Sequence, residues 1–307
     1  MKLKELWHKY RAWQKDSVHY SADGLEEHRC PNCGHEFKGN YCPVCRQDAG
    51  DGRITWKWVF RCVMTVWGMD SRSLPHTLLQ LILRPGYLIG DYITGRRQVS
   101  YTPVNMLFIV ALIYVVTKQL FGVDVEVQAA LSTEDNMAVF RDAIHWMQAN
   151  PAWAVMAMTM VMVLPTRYFF RFAPRHSHHT LPEGIIIQLF MASLMMMCLL
   201  VGVFSEPLSS LLILFYYYIS YRQLFGFGRW STLWRLILSL IVWLLVVVFF
   251  VLMGMLLPAI KTHSMDYVLG YMLVAAVVLI VTVLIVVFGY FIGWKTSKKT
   301  LDTENNR

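Results

Sequence analysis

The chain has 307 residues, 56% of them hydrophobic and only 16% charged, with a mean hydropathy of +0.43. Soluble globular chains are about 45–50% apolar and about 25% charged, so a soluble enzyme, a secreted disulfide scaffold and a disordered polymer are all disfavoured, and an all-α integral membrane protein is expected. Lys and Arg number 28 against 20 Asp and Glu, a formal charge of +8, which in such a chain points first to the positive-inside rule rather than to nucleic acid.

The opening MKLKELWHKYRAWQK places Leu3, Leu6, Trp7, Tyr10 and Trp13 at helical spacing among lysines and arginines. That pattern predicts a short amphipathic helix in a segment running over 1–27, suited to a membrane surface or a partner. No apolar core follows the charged start within the first hundred residues, so no cleavable leader is expected. A small domain over 28–50 comes next. Cys30-Pro-Asn-Cys33 and Cys42-Pro-Val-Cys45 are separated by eight residues, and two such knuckles let four thiolates converge on one ion. Soft all-sulfur ligation favours a single structural zinc in a zinc ribbon, with no coordination position left for catalysis. Arg29, Lys38 and Arg46 are balanced by Glu26, Glu27, Glu36 and Asp48. The ribbon therefore has no basic patch for nucleic acid and reads as a contact for protein.

Residues 54–100 read as interfacial helices. The stretch 54–69 is too short to span and carries Lys57 and Arg61 on one face, and 74–83 runs into the helix-breaking Arg84-Pro85-Gly86. Arg84, Arg96 and Arg97 are candidates to hold anionic lipid headgroups, with simple topology determination as the alternative. About six transmembrane helices follow within 101–294, over 102–121, 152–170, 184–204, 207–225, 233–257 and 267–294, and then a cytosolic tail over 295–307. The fourth is the weakest, its second half being aromatic and polar. Of the 28 cationic residues all but Lys118, Arg141 and Lys261 fall on one side of this arrangement, which predicts a multi-pass protein with both termini cytosolic.

Polar residues near the spans offer few sites. Asn105, Glu183 and Gln188 could line a transport path, since polar groups in lipid are costly. Glu183, in Pro182-Glu183-Gly184, also suits the first turn of a helix, and this capping reading is favoured. Asn105 and Gln188 equally suit hydrogen bonding between helices. His176, His179 and Glu183 would share a face if a helix began at His176, a second metal site in outline, but Pro174 and Pro182 argue for a loop. No H-E-x-x-H, P-loop, G-x-S-x-G or G-x-G-x-x-G pattern is present.

The order CPNCGHEFKGNYCPVCRQD, RPGYLIGDYITGRRQVSYTP, LPEGIIIQLF and YYYISYRQLFGFGRWSTLWRLIL resembles an uncharacterised bacterial family that joins an N-terminal zinc ribbon to a multi-span membrane domain. The resemblance covers about 30–300. Arg46 and Gly184 stand where that family tends to carry a glycine after the last ribbon cysteine and a histidine at the start of the third span. It implies the bacterial inner membrane and the architecture above, and no activity. The function expected is a non-enzymatic membrane protein whose cytosolic ribbon docks a protein partner or anionic lipid, with self-association left open. A small transporter using Glu183, Asn105 and Gln188 is the alternative, and a membrane-embedded metalloenzyme using His176, His179 and Glu183 comes third.

Overall fold

The computed structural model describes residues 2–15, 26–30, 32–39, 41–45, 74–96, 100–121, 145–262 and 265–305. The expected interfacial stretch 54–69 and Arg97 lie outside them. The chain divides into two units, residues 1–78 with 98–100, and the remainder.

In the first unit, α1 (Lys2–Lys15) is the expected amphipathic helix. Trp7, Tyr10 and Trp13 follow one another at three-residue spacing with ring centroids 5.8 and 6.0 Å apart, and Arg11 lies 5.0 Å over the Trp7 ring. Strands β1 (Glu27–Arg29) and β2 (Glu36–Lys38) form an antiparallel hairpin pairing His28 with Phe37.

The second unit is helical. Two short helices, α2 (Leu74–Leu83), which belongs to this unit from Leu79 on, and α3 (Pro85–Ile93), are separated by a bend at Arg84. Then come α4 (Pro103–Leu120), α5 (Pro151–Met160), α6 (Val163–Phe169), α7 (Leu181–Gly202), α8 (Glu206–Phe225), α9 (Arg229–Thr262) and α10 (Met265–Asn305). Proline at the first or second position of α4, α5, α7 and α8 marks each start, where a missing N–H costs nothing.

Five stretches are long and apolar enough to cross a membrane: Pro103–Leu120, Pro151–Phe169, Leu181–Gly202, Arg229–Met253 and Val268–Phe291. They identify a membrane protein. The fourth expected span, over 207–225, forms the 20-residue helix α8, which with Tyr216, Tyr217, Tyr218, Ser220, Tyr221 and Arg222 is not among these five. Geometrically α8 retraces α7. Three residues separate it from the end of α7, and its last residue, Phe225, accepts a hydrogen bond from the Arg175 backbone N–H at 3.1 Å. Phe225 also lies 5.5 Å from the His179 ring, just before the start of α7. Helices α9 and α10 extend to Thr262 and Asn305.

Helix α7 is the axis of the unit, packed by α3, α4, α5, α6 and α8, and 61% of its apolar window is buried against 11% for α10. The span made by α5 and α6 is broken at Val161-Met162. Pro165 has no N–H to give the Val161 carbonyl, and the Met162 N–H turns to the Thr159 carbonyl at 2.9 Å. That leaves the Met158 carbonyl without its helical donor in a place where water cannot substitute. The Trp243 indole Nε1 of α9 donates to it at 2.8 Å. Trp243→Phe keeps an aromatic side chain but removes the donor together with the five-membered ring that carries it, so it should destabilise the membrane unit by roughly 1–3 kcal/mol. A lowered melting temperature of the purified protein, with unchanged helix content by circular dichroism, checks this.

Candidate metal centre and polar groups of the membrane unit

The hairpin brings the two knuckles together. The Cys30 N–H donates to the His35 carbonyl at 2.9 Å and Gly34 N–H returns to the Cys30 carbonyl at 2.9 Å. Gly34 has φ +76°, a conformation that a side chain would strain. Cys30, Cys42 and Phe37 are buried, with Cys45 packed against them. The four sulfurs lie within 4.8 Å of one another, with Cys30 Sγ to Cys45 Sγ at 3.4 Å and Cys33 Sγ to Cys42 Sγ at 3.6 Å. A tetrahedron with metal–sulfur bonds of about 2.3 Å has edges of about 3.8 Å, so the cluster has the size that one thiolate-bound ion such as zinc requires.

Electrostatics favour a cation as well. The His35 backbone amide holds the Cys33 thiol down, but burial and the neighbouring thiols of Cys42, Cys45 and Cys30 outweigh it and push the group up to about 12. A thiol so placed ionises readily only when a positive ion offsets its charge. Among the described residues, no other group of three or more His, Cys, Asp or Glu converges in this way.

The remaining sequence candidates are dispersed. Arg84, expected at headgroup level, is fully buried. Its guanidinium pairs with the Asp91 carboxylate and its Nε donates to Gln80 Oε1 at 3.4 Å. The sequence signal that could have revealed this is Asp91 itself, seven residues on and therefore two helical turns along the same face. Arg96 is exposed, with Nη1 3.9 Å from Asp91 Oδ1. Asn105 sits on an exposed face of α4.

Gln188 is buried in α7, its Nε2 donating to Tyr221 Oη at 3.0 Å and Thr166 Oγ1 at 3.4 Å. Glu183 closes a capping box: Thr180 N–H donates to Glu183 Oε2 at 2.6 Å and Glu183 N–H to Thr180 Oγ1 at 3.4 Å. Asn105, Glu183 and Gln188 thus occupy separate environments rather than one path.

His176, His179 and Glu183 do not share a helical face, because residues 173–180 form a loop with His176 and His178 at positive φ. His179 is buried between Phe225 and α7, and neither ring nitrogen has a hydrogen-bond partner among the described residues. Burial first, and then the Arg167 charge, lower its pKa to about 4.

With this geometry in view, residues 72–115 match a family described as a protein of unknown function (DUF3667). The match covers α2, α3 and most of α4. No curated protein and no solved structure matches the chain.

His179 sets the sign of a pH effect. Its folded pKa lies below the unfolded value of about 6.5, so the unfolded chain binds the proton more readily between the two values. Stability is then full above about pH 6.5 and is lost as pH falls toward 4, by up to ~3 kcal/mol. Acidification from neutral pH to pH 5 should lower the melting temperature of the native protein more than that of His179→Phe. Equal shifts would remove His179 as the cause.

Proposed function

We propose that the protein is a non-enzymatic protein of a bacterial inner membrane in which a cytosolic zinc ribbon docks a protein partner. The observation that carries this reading is the four-cysteine cluster held by its own hairpin. Four thiolates complete a tetrahedral zinc sphere and leave no position for substrate, so the metal's work is structural. With Phe37 and the cysteines as its core among the described residues, the hairpin depends on the ion for its fold.

What the metal holds out is apolar. Tyr41 and Val44, on the second knuckle, are 57% and 65% exposed. The charged side chains around them are mixed in sign, with Lys38 paired to Glu27 at 2.8 Å. An apolar tip with a neutral rim suits a protein surface better than nucleic acid.

Two observations support placing both termini in the cytosol. The return of α8 to the starting end of α7 adds a sixth crossing to the five apolar spans, and an even number puts both ends on one side. The concentration of 25 of 28 cationic residues on that side makes it the cytosolic one.

Native mass spectrometry of the full-length protein, extracted gently from its host membrane, tests the reading. The expected spectrum shows one zinc and a stoichiometric second protein. Cys33→Ser should lose both while still fractionating with membranes, and Val44→Glu should keep the zinc and lose the partner. A partner retained by both variants, or a zinc-bearing protein that associates only with itself, would overturn the proposal.

A further inference from the structure

Between α3, the loop joining α6 to α7, and the last turns of α8 lies a cleft of about 110 Å³. Drug-sized ligands need roughly 300 Å³ or more, whereas a tetrahedral oxyanion is of the right scale for this space. The charge balance around it is positive. Asp91 lines the cleft, but one of its oxygens pairs with buried Arg84 and the other faces Arg96. Arg175, on the lining itself, adds a third guanidinium; against Asp91 and Glu183, whose charge also reaches His176, the balance is +1.

Arg175 is built into place. Its backbone N–H is bonded to the Phe225 carbonyl, its stem passes over Gly226 where a Cβ would stand 3.2 Å away, and its guanidinium lies 5.7 Å over the Tyr87 ring. Among the described residues no carboxylate lies within ion-pair distance of that guanidinium.

Two neutral donors complete the lining. Gln223 Oε1 accepts from the Gly86 N–H at 3.1 Å, which leaves its amide NH2 to donate. His176 is seated on Gly90, its Nε2 only 2.9 Å from where a Cβ would be. Burial lowers its pKa, so it is neutral at physiological pH and still has one N–H to give. Thr94 is not a donor to the cleft, because its hydroxyl faces the Gly90 and Asp91 carbonyls at 3.0 Å.

We infer that this cleft binds a phosphate group through Arg175, His176 and Gln223, carried either by an anionic phospholipid headgroup or by free phosphate. Charge-assisted bonds from guanidinium to phosphate are the strong ones, and Arg175 is the charge not already committed. Arg84, the sequence candidate, takes part only by neutralising Asp91.

The test uses the full-length protein in nanodiscs, with phosphatidylglycerol compared against phosphatidylcholine by native mass spectrometry, and inorganic phosphate titrated separately. Phosphatidylglycerol should be retained preferentially, and Arg175→Gln should weaken that retention by about tenfold. Arg171→Gln removes the same charge outside the cleft and should change it less than about twofold. Competition by inorganic phosphate supports a free-phosphate ligand, and retention of lipid without it supports the headgroup. Equal losses in Arg171→Gln and Arg175→Gln, or none in Arg175→Gln, would overturn the inference.

Should Arg175→Gln not accumulate, Gly90→Ala displaces the His176 ring at constant charge, and undiminished lipid retention there would overturn it equally. Cys33→Ser should bind lipid as the native protein does, so the cleft and the ribbon can fail independently.

Discussion

A guanidinium with no exposure to solvent has to be neutralised, and Arg84 meets that requirement in a way that organises its end of the membrane unit. Its side chain joins Gln80 on α2 to Asp91 on α3 across the bend that Pro85 imposes. Its backbone also bridges the break, the N–H bonded to the Gln80 carbonyl at 2.7 Å and the carbonyl accepting from Leu88 N–H at 3.0 Å. A buried ion pair contributes little net stability, but loss of one member leaves an uncompensated charge costing about 3–5 kcal/mol. The bend is therefore held by a partnership that tolerates no single replacement.

The same need for internal satisfaction recurs deeper in the unit with different partners. Arg235, buried at the start of α9, donates to the Phe169 carbonyl and to Ser231 Oγ. Its guanidinium lies 4.1 Å from the Phe227 ring centre and 4.6 Å from that of Trp234. Carbonyl dipoles and aromatic faces surround this cation where a carboxylate surrounds Arg84. Trp243 performs the converse service, donating to a carbonyl that a proline-induced break left open. The break between α5 and α6 is thus matched by a polar side chain from another helix, as the lipid environment demands.

How much of this could be read from the sequence follows from the range of each interaction. The cysteine spacing was sufficient because ligands three residues apart in a knuckle are a local matter, and the helix starts at Pro103, Pro151, Pro182 and Pro207 were local too. The loop over His176–His179 was foreshadowed by Pro174 and Pro182. Arg84 suits a lipid headgroup by sequence because a basic residue beside a helix breaker looks interfacial until its partner is known, and here it is buried. The Gln188–Tyr221 bond spans 33 residues and the Trp243–Met158 bond 85. No pattern within one segment can announce such pairs. The tyrosine-rich half of α8 was ambiguous for a related reason: hydropathy scores the side chain alone, whereas Tyr221 is buried against α7 with its hydroxyl satisfied.

Gly86 has a mechanical consequence. A Cβ there would lie 2.2 Å from the Ser220 carbonyl oxygen and 2.6 Å from the Leu224 nitrogen, so the backbones of α3 and α8 touch with no side chain between them. Gln223 then ties the Gly86 amide to α8. Helices separated by side chains can slide by exchanging rotamers, but two main chains in contact cannot. The short helix and the end of its long neighbour therefore form one lever. A tilt of α8 is thereby passed to the helix that carries Asp91.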